Sequence, residues 1–299
     1  MEALLDRLKR GEVLVADGAL GTELIRRGLV LGECPEQTNL HSPGILEEIA
    51  RAYLAAGADI VQTNTFGASP LRLAHYGLDD CTEEINTTAV SATRKAIDNN
   101  AYLAVSCGPC GLQLSESGEA NPNTVLNGFE RQLRCCVAEG VDVICIETMT
   151  DLVEASLAVR AAKTVAPTIP VAAMMTFEPT PDGFLTIMGV SIEQAAVGLT
   201  EAGADVIGSN CGDGIDNMIR IASEFREYTS LPIIIQSNAG LPQIQGDQAI
   251  YPDTPEFMAE RCSQLLAGGV SIIGGCCGTT PDHIAAMCRV VDEYNVSKR

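Results

Sequence analysis

Eight short apolar runs recur along the chain, and they limit the possible folds more than any other feature of the sequence. Most runs are apolar throughout rather than alternately apolar and polar, which is typical of parallel strands covered by helices. Segments of helix length separate them. The runs are residues 13–17, 59–65, 102–107, 142–147, 171–177, 205–211, 233–238 and 271–276.

The segment after the first loop indicates how the intervening helices begin and end. Ser42 is placed to cap a helix, Pro43 to occupy its first position and Gly57 to end it. Apolar residues at helical spacing form one face of this helix, namely Ile45, Leu46, Ile49, Tyr53 and Leu54. A threonine followed by proline recurs at Thr254 and Thr280, which predicts two further helices.

A short glycine junction between helix and strand occurs four times, at residues 56–59, 139–142, 202–205 and 268–271. Each places a glycine where a helix stops and an extended run begins. Eight alternations of strand and helix, with no linker rich in proline or serine, predict an α/β fold made of a single (β/α)8 barrel over residues 1–299. An open doubly wound sheet with a small appended domain is the alternative.

The charge of the chain argues against two classes of partner. The chain carries 19 Lys and Arg against 39 Asp and Glu, a net charge of −20, whereas binding to nucleic acid or anionic membranes draws on basic patches. No apolar run approaches the roughly 20 residues of a membrane helix, and the charged, amphipathic start does not resemble a signal peptide. We therefore expect a cytoplasmic protein whose 12 cysteines are reduced.

Reactive residues of such a barrel lie at the carboxyl ends of the strands. Only three histidines occur, and none ends a run, which argues against histidine acid–base chemistry. Two carboxylates and several cysteines do end runs, and the full set is Asp17, Thr65, Cys107, Glu147, Thr176, Cys211, Asn238, Cys276 and Cys277. Taken alone, the two carboxylates are either caps and rim residues or groups that face a substrate.

The GGCCGTT segment near the end of the chain is the sharpest motif. Adjacent side chains of a strand point to opposite faces, so Cys276 and Cys277 reach one metal only if the backbone leaves strand geometry, which the glycines permit. With Cys211 they would form a three-cysteine site with one open position, as a catalytic zinc requires. Cys107, which forms a CxxC pair with Cys110, is the competing third ligand, and inert buried thiols are the alternative to a metal.

Several segments around these residues resemble the homocysteine S-methyltransferase family. The resemblance covers nearly the whole chain, from about Val15 to Ile284. The matching segments are DGALGTEL at 17–24, ADIVQTNTFGAS at 58–69, ICIET around Glu147, the Asn210–Cys211 pair, SNAGLP at 237–242 and GGCCGT at 274–279. TNTFGAS and NAGLP are closer to the homocysteine-binding module of cobalamin-dependent methionine synthase than to the betaine or S-methylmethionine branches.

The resemblance implies an enzyme that transfers a methyl group to homocysteine and forms methionine. It implies a zinc ion bound by Cys211, Cys276 and Cys277 that holds the homocysteine thiolate, with no catalytic side chain beyond these ligands. Asn238 would fill the open zinc position before substrate arrives.

The same resemblance implies how the amino-acid part of the substrate binds. Asp17 and Glu147 would receive the ammonium group. The carboxylate would bind backbone around Gly18 and the segment that contains Asn64 and Thr65. Two carboxylates that face an ammonium explain an amino-acid thiol better than a simple thiol.

Two departures from the family concern the methyl donor. Cobalamin-dependent members continue into folate and corrinoid domains, whereas this chain ends at Arg299, so we expect methylcobalamin carried by a separate corrinoid protein. S-methylmethionine, S-adenosylmethionine or methylfolate acting through partner domains are the alternatives. The loop over residues 178–190 differs from the family's shorter version and lies where a donor would approach.

Other readings remain open at this point. SCGPCG at 106–111 places cysteines where glycine-rich backbone is usual, and we expect spare thiols there, with a second metal or redox role as the alternative. A different thiol acceptor would keep the zinc site. A thiol- or metal-sensing barrel, or a scaffold for a corrinoid protein, is the non-enzyme alternative, although a sensor would need no ammonium pocket.

Overall fold

The computed structural model describes residues 2–114, 120–181, 183–245 and 248–298. Eight parallel strands form one sheet in the order β1-β8-β7-β6-β5-β4-β3-β2. They are β1 Leu14–Val15, β2 Ile60–Gln62, β3 Tyr102–Cys107, β4 Val143–Met149, β5 Val171–Met175, β6 Val206–Cys211, β7 Ile233–Ser237 and β8 Ile272–Gly275.

A parallel bridge between Ala16 and Ile60 joins β1 to β2, so the first strand pairs on both sides and the sheet closes. Each strand lies next to the following barrel strand in the chain. The predicted α/β barrel is therefore confirmed, and an open doubly wound sheet is excluded because that fold leaves two free edges.

Twelve α-helices accompany the strands in the described part of the chain. They are α1 Leu4–Lys9, α2 Gly21–Arg26, α3 Thr38–His41, α4 Pro43–Ala55, α5 Pro70–Ala74, α6 Thr82–Ile97, α7 Pro122–Ala138, α8 Leu152–Val165, α9 Ile192–Ala202, α10 Ile215–Tyr228, α11 Pro255–Ala267 and α12 Pro281–Ser297. Two 3-10 turns cover Pro35–Gln37 and Asp79–Cys81. Among the described residues, no helix is both long and apolar enough to cross a membrane.

The helices begin and end at the capping residues and junction glycines predicted from the sequence, except that Ser42 makes no capping bond. The four junction glycines have φ between +76° and +104°, a left-handed conformation that glycine adopts freely: Gly57, Gly140, Gly203 and Gly269. Thr254 accepts a hydrogen bond from the Phe257 N–H, and Thr280 forms a capping box with His283. Ser42 precedes α4 but makes no capping bond, because its backbone is also the end of α3.

Seven of the eight strands differ in length from the predicted runs, and only β3 coincides with its run. β1 and β2 fall furthest short of residues 13–17 and 59–65, since the chain leaves the sheet after Ala16 and Gln62 to form loops around the barrel mouth. β4 is longer, because a bulge between Ile146 and Met149 carries it past Glu147.

Two β-hairpins that the sequence did not predict project from the barrel loops. Glu178–Thr180 pairs with Gly183–Leu185 between β5 and α9, and Gln243–Gln245 pairs with Gln248–Ile250 between β7 and α11. Both follow the carboxyl end of a barrel strand, and β6 lies between those two strands in the sheet.

The barrel interior changes from apolar to polar along its axis. Tyr102 and Ala104 of β3 and Val143 and Cys145 of β4 belong to the buried interior cluster, which Leu4 and Leu8 of α1 join at the amino end. Because side chains alternate along a strand, the next inward residues toward the carboxyl end are Ser106 and Glu147. Both are buried, so the fold places polar groups inside the mouth of the barrel.

Candidate active site

A cavity of about 230 Å³ opens at the carboxyl ends of the strands. Its lining contains the Gly18–Thr22 backbone, Gln62, Ser106 and Glu147 together with the three predicted cysteines. The lining residues are Gly18, Ala19, Leu20, Gly21, Thr22, Pro35, Glu36, Gln62, Thr63, Asn64, Phe66, Ser106, Glu147, Thr148, Cys211, Gly275, Cys276 and Cys277. The chain therefore brings carboxylate and thiol groups to one small chamber.

The three predicted cysteines form a cluster at the end of β6 and β8. The Sγ atoms of Cys211, Cys276 and Cys277 all lie within 4.8 Å of one another. This is the one group in the described chain whose His, Cys, Asp and Glu side chains are arranged to hold a metal ion.

The backbone leaves strand geometry at each of these cysteines. Cys211 has φ +68°, a left-handed conformation that is strained for a residue with a side chain, and it is followed by Gly212 at φ +66°. β8 ends at Gly275, and the Cys276 N–H donates to Ser237 O at 2.7 Å. Adjacent cysteines can thus face one point, as the glycine-rich motif predicted.

Gly278 and Tyr251 form the support behind the cysteine pair. Gly278 has φ +83°, and a Cβ at this position would lie 2.1 Å from Cγ of Tyr251. Hydrogen bonding to Cys211 raises the pKa of the Cys277 thiol to about 12, and the Tyr251 side chain opposes that rise. Burial, followed by the charge of Cys277, raises the pKa of Tyr251. Sequence reasoning missed Tyr251, because it lies 26 residues before Cys277 in a loop with no motif.

Hydrogen bonds within the cluster favour one thiolate. Cys276 and Cys277 bond to Cys211 and lower the pKa of its thiol, while the same interactions raise the pKa of Cys276. Asn238 adds a hydrogen bond that also lowers the pKa of Cys211. The cluster is therefore prepared to carry negative charge before any ligand binds.

Cys107, the competing third ligand, is not part of this cluster. Its side chain lies on the outer face of β3, where the Sγ is 3.5 Å from Oε1 of Gln132 in α7. Cys110 is also buried, and its Sγ lies 3.7 Å from the Leu112 carbonyl. Burial raises the pKa of both thiols. The prediction of Cys107 as a possible ligand is wrong, because Ser106 rather than Cys107 takes the inward position.

Glu147 lines the chamber, and Asp17 is a second buried acid near it that does not line the cavity. Burial raises the pKa of Asp17 to about 8, and the charge of Glu147 raises it too, against a hydrogen bond from the Gln62 N–H at 2.8 Å. Burial raises the pKa of Glu147 to about 7, although the Ser106 hydroxyl donates a hydrogen bond to it and opposes the rise. Asp17 Oδ1 is buried without a hydrogen-bond partner among the described residues. A cation beside two buried acids lowers the free-energy cost of ionising them, because it offsets both their burial and their mutual repulsion.

Gly18, Asn64 and Thr65, the next predicted substrate residues, differ in how their atoms relate to the cavity. Gly18 lines the cavity, whereas Asn64 donates from its amide to the Pro35 carbonyl and to Asn39 Oδ1. Thr65 is fully buried, and its hydroxyl donates to the Ser106 carbonyl at 2.7 Å. The side chains of Asn64 and Thr65 therefore hold the loops around the cavity together.

Asn238 lies beside the cysteine cluster at the end of β7. Its N–H donates to Cys211 O at 3.3 Å, and its amide nitrogen donates to Gly212 O at 2.6 Å. The other amide atom, Oδ1, is buried with no hydrogen-bond partner among the described residues. A cation near the cluster would give the Asn238 Oδ1 atom the partner that it lacks.

Asn210 links the two sides of the chamber, and sequence reasoning gave it no role. It is fully buried; its Oδ1 accepts from the Thr148 N–H at 2.7 Å, and its amide nitrogen donates to Thr148 Oγ1 at 2.8 Å. The same nitrogen lies 3.9 Å from Cys276 Sγ. Thr148 has φ +57° and follows Glu147, so Asn210 fixes the bulge that places this acid relative to the cysteines.

Comparison with known proteins agrees with this geometry. Residues 14–291 match the homocysteine S-methyltransferase family. Methionine synthases of Mycobacterium leprae and Mycobacterium tuberculosis are each 33% identical to the chain and align with 98% and 96% of it. The chain spans about a quarter, 25%, of the length of each of these relatives.

Solved structures share the fold. The metallated form of the homocysteine methyltransferase MmuM from Escherichia coli superposes with a TM-score of 0.78 at 23% identity, covering 95% of this chain and 98% of that one. Its apo form gives a TM-score of 0.73 at 22% identity, covering 97% and 98%. The family match and the 33% identity confirm the resemblance found in the sequence, and the chain belongs to the homocysteine S-methyltransferase family of enzymes.

Proposed function

We propose that this chain transfers a methyl group to the thiolate of homocysteine, forming methionine, at a zinc ion held by Cys211, Cys276 and Cys277. The observation that carries the proposal is the chamber itself, whose lining holds three clustered thiols and the buried Glu147, with the buried Asp17 close enough for the charge of Glu147 to raise its pKa. A ligand that fits must offer a cation at one end and a metal-binding group at the other. Homocysteine has both.

The donor set suits zinc. Tetrahedral coordination with Zn–S distances of ~2.3 Å gives sulfur–sulfur distances of about 3.8 Å, and the three Sγ atoms already lie within 4.8 Å of one another. Three thiolates would leave one position for a substrate, and Asn238, whose Oδ1 is buried without a hydrogen-bond partner among the described residues, is our proposed occupant of that position in the resting site. Bound zinc would supply a substrate thiolate at neutral pH, where a free thiol of pKa ~8.5 is only about 3% ionised.

The buried acids would receive the substrate ammonium. A cation between Asp17 and Glu147 removes the cost of ionising two acids in a buried site, so binding and ionisation support each other. The substrate carboxylate would bind backbone of the Gly18 segment. Asn64 and Thr65 would act through their backbone and through the loop geometry that their side chains maintain.

The chemical step is an in-line displacement. The sulfur forms a bond to the methyl carbon, the bond between that carbon and the donor breaks, and the donor keeps the electron pair. Zinc, when held by the three cysteines, would supply the substrate sulfur as a thiolate, so the chain would need no side chain as general base. The role of the residues is to hold sulfur and ammonium at a fixed separation, which Asn210 sets through Thr148.

For the donor we propose a methylated corrinoid carried by a protein that acts in trans. The identity to methionine synthases supports this choice over a free sulfonium donor. The cavity of about 230 Å³ is smaller than the ~300–1,000 Å³ of typical ligand sites, so the corrin ring would remain outside and present its methyl group at the mouth.

The test is methionine formation by zinc-loaded protein with homocysteine and, in separate reactions, methylcobalamin, S-methylmethionine and S-adenosylmethionine. We expect turnover with methylcobalamin and one zinc per chain. Cys211→Ala should lose zinc and turnover, whereas Cys107→Ala, a buried cysteine outside the cluster, should keep both.

Other outcomes would change the proposed donor, acceptor or metal ligands. Efficient turnover with a sulfonium compound would make that compound the donor. Turnover with another thiol but not with homocysteine would reject the acceptor. Homocysteine and zinc binding without turnover from any free donor would mean that the reaction lacks the methyl-carrying protein. Full activity in Cys211→Ala would reject the ligand set.

A further inference from the structure

The hydroxyl of Thr279 joins two segments of the chamber lining that lie 260 residues apart in the chain. It donates to the Cys276 carbonyl at 2.8 Å and accepts a hydrogen bond from the Ala19 N–H at 3.1 Å. Ala19 lies two residues after Asp17 and lines the chamber, and Cys276 belongs to the thiol cluster. One side-chain oxygen therefore connects the segment proposed to hold the amino-acid part of the substrate with the turn proposed to hold the metal.

Thr279 acts from behind the lining of the chamber. It is fully buried and is not among the residues that line the cavity. The cap of α12 is the next residue, Thr280, which forms its capping box with His283. Because another threonine begins the helix, the two hydrogen bonds of the Thr279 hydroxyl serve the contact between the two segments.

Two glycines of the lining allow this contact. A Cβ on Gly18 would lie 2.6 Å from Thr279 Oγ1, and a Cβ on Gly275 would lie 2.2 Å from the same atom. The Gly275 N–H also donates to the Asp17 carbonyl at 2.9 Å, so a backbone bond joins the segments where the sheet ends. The Thr279 hydroxyl adds a side-chain bond between them at a place where no other side chain would fit.

Tyr53 of α4 holds Ala19 through its other backbone group. The Tyr53 hydroxyl donates to the Ala19 carbonyl at 2.8 Å, and the side chain is fully buried. The same oxygen lies 3.4 Å from the Thr279 carbonyl. Buried hydroxyls thus bind both the N–H and the carbonyl of Ala19, so the position of this residue is determined from two directions.

We propose that Thr279 is a positioning residue that sets the distance between the site for the substrate ammonium and carboxylate and the site for the substrate sulfur. This inference rests on the proposed function, in which homocysteine spans the chamber between the two sites. A ligand with two binding groups gains affinity when the sites lie at the separation of those groups, because the second contact then costs little further ordering. Thr279 touches neither end of the ligand but determines whether one molecule can use both sites.

Thr279→Val tests this role, because valine keeps the shape of threonine and removes the hydroxyl. Thr279→Ser keeps the hydroxyl, and Tyr53→Phe removes the bond to the Ala19 carbonyl without changing the cysteine turn. Thr93→Val is the matched control. Thr93 is 2% exposed, and its hydroxyl donates to the Ala89 carbonyl at 2.9 Å within α6.

Three ligands separate positioning from damage to either site. Homocysteine uses both sites. 1-Propanethiol keeps the sulfur but lacks the ammonium and carboxylate, whereas 2-aminobutyrate keeps these two groups but lacks the sulfur. Calorimetric titration into zinc-loaded protein measures the three affinities, and methyl transfer from methylcobalamin measures kcat/KM for the two thiols.

We expect Thr279→Val and Tyr53→Phe to weaken homocysteine binding by about tenfold or more, while affinities for the two half-ligands stay within about twofold of wild type. The ratio of kcat/KM for homocysteine to kcat/KM for propanethiol should fall by a similar factor. Thr279→Ser and Thr93→Val should match wild type. Equal losses with homocysteine and propanethiol, a loss shared by 2-aminobutyrate, or no loss in Thr279→Val would each overturn the inference.

Amide hydrogen exchange tests the contact without metal, substrate or turnover. The Ala19 N–H should exchange faster in Thr279→Val than in wild type, because valine offers it no acceptor, and at the wild-type rate in Thr279→Ser and Thr93→Val. An unchanged rate in Thr279→Val would overturn the inference, since the hydroxyl would then not hold Ala19.

The titrations also keep this inference separate from the proposed function. If wild-type, zinc-loaded protein binds no homocysteine, the proposed function fails and the positioning role fails with it. If homocysteine binds wild type and Thr279→Val equally and both transfer the methyl group, only the positioning role is rejected. If homocysteine binds but no free donor gives turnover, the affinities alone decide, and a loss confined to the whole ligand supports the role of Thr279.

Discussion

At the scale of single residues, the buried acids decide how the chamber responds to pH. Asp17 and Glu147 have pKa values raised to about 8 and about 7, far above the ~4 of the same groups in an unfolded chain. The folded, substrate-free protein therefore holds more protons than the unfolded chain between pH ~4 and pH 8. Its stability from these groups is present at low pH and falls as pH rises through this window.

A bound ammonium group reverses this trend, and Glu147→Gln tests it. We expect homocysteine to stabilise zinc-loaded protein more at pH 8 than at pH 6, because the acids must ionise to hold the ammonium. Glu147→Gln should lose part of this pH dependence and raise KM for homocysteine roughly 10–100-fold, the effect of one lost charge-assisted contact of ~1.5–3 kcal/mol. Thermal unfolding with and without homocysteine across pH 5.5–8.5 measures both effects, and a variant that keeps the wild-type slope would contradict the assignment.

Residue-level prediction succeeded where chemistry is local and failed where it is not. The CC pair, its glycines and Cys211 were found because thiols at strand ends are conspicuous in the sequence. Alternation along β3 could also have excluded Cys107, since Ser106 shares the inward face with Tyr102. Asn210 was missed because its function is defined by Thr148, a partner 62 positions away.

At the scale of elements, burial explains why the barrel strands could be predicted from the sequence. All eight barrel strands lie within the predicted runs or overlap them, because strands covered on both faces are continuously apolar and easy to recognise. The extension of β4 depends on a bulge fixed by β6, a long-range contact that no local pattern reports. Each hairpin strand has only three residues and mixes polar with apolar ones, so no apolar run marked the hairpins in the sequence.

The turn between β8 and α12 offers a test at this scale, because two glycines provide a matched pair. Gly278 and Gly140 both have φ +83°, but a Cβ on Gly278 would meet the Tyr251 ring at 2.1 Å, whereas Gly140 has nothing within 4 Å. Alanine at either position incurs the same backbone strain of about 1 kcal/mol. Only Gly278→Ala should also displace Tyr251 and the adjacent Cys277.

We therefore expect Gly278→Ala to weaken zinc binding by about tenfold or more, as for loss of a supporting contact to a metal ligand. Gly140→Ala should bind zinc like wild type while unfolding at a slightly lower temperature. Competition with a chelating dye measures the affinity. Equal zinc affinities in the two variants would show that Tyr251 does not support the cysteine pair.

At the scale of the whole molecule, the residues that pack the amino end of the barrel and the residues of the candidate active site lie at opposite ends of the barrel axis. The amino end is closed by α1, whose Leu4 and Leu8 are buried against the barrel interior, and by Arg7, which bonds to Asp59 at 3.0 Å. The carboxyl end holds the buried acids and the clustered thiols. Packing at one end can therefore change without moving the reacting groups at the other.

Leu4→Ala tests this separation, because it empties part of the amino-end core while leaving the mouth untouched. Leu4 is 2% exposed, and its truncation should cost about 3 kcal/mol of unfolding free energy and lower Tm by about 6 °C. The kcat/KM of zinc-loaded protein, measured well below Tm, should stay within about twofold of wild type. Lys9→Ala in the same helix, whose ion pair with Asp6 is solvent-exposed, should change neither quantity measurably. A fall in kcat/KM that tracks the fall in Tm would mean that the closure of the amino end helps to position the site, and that the two ends of the barrel are coupled.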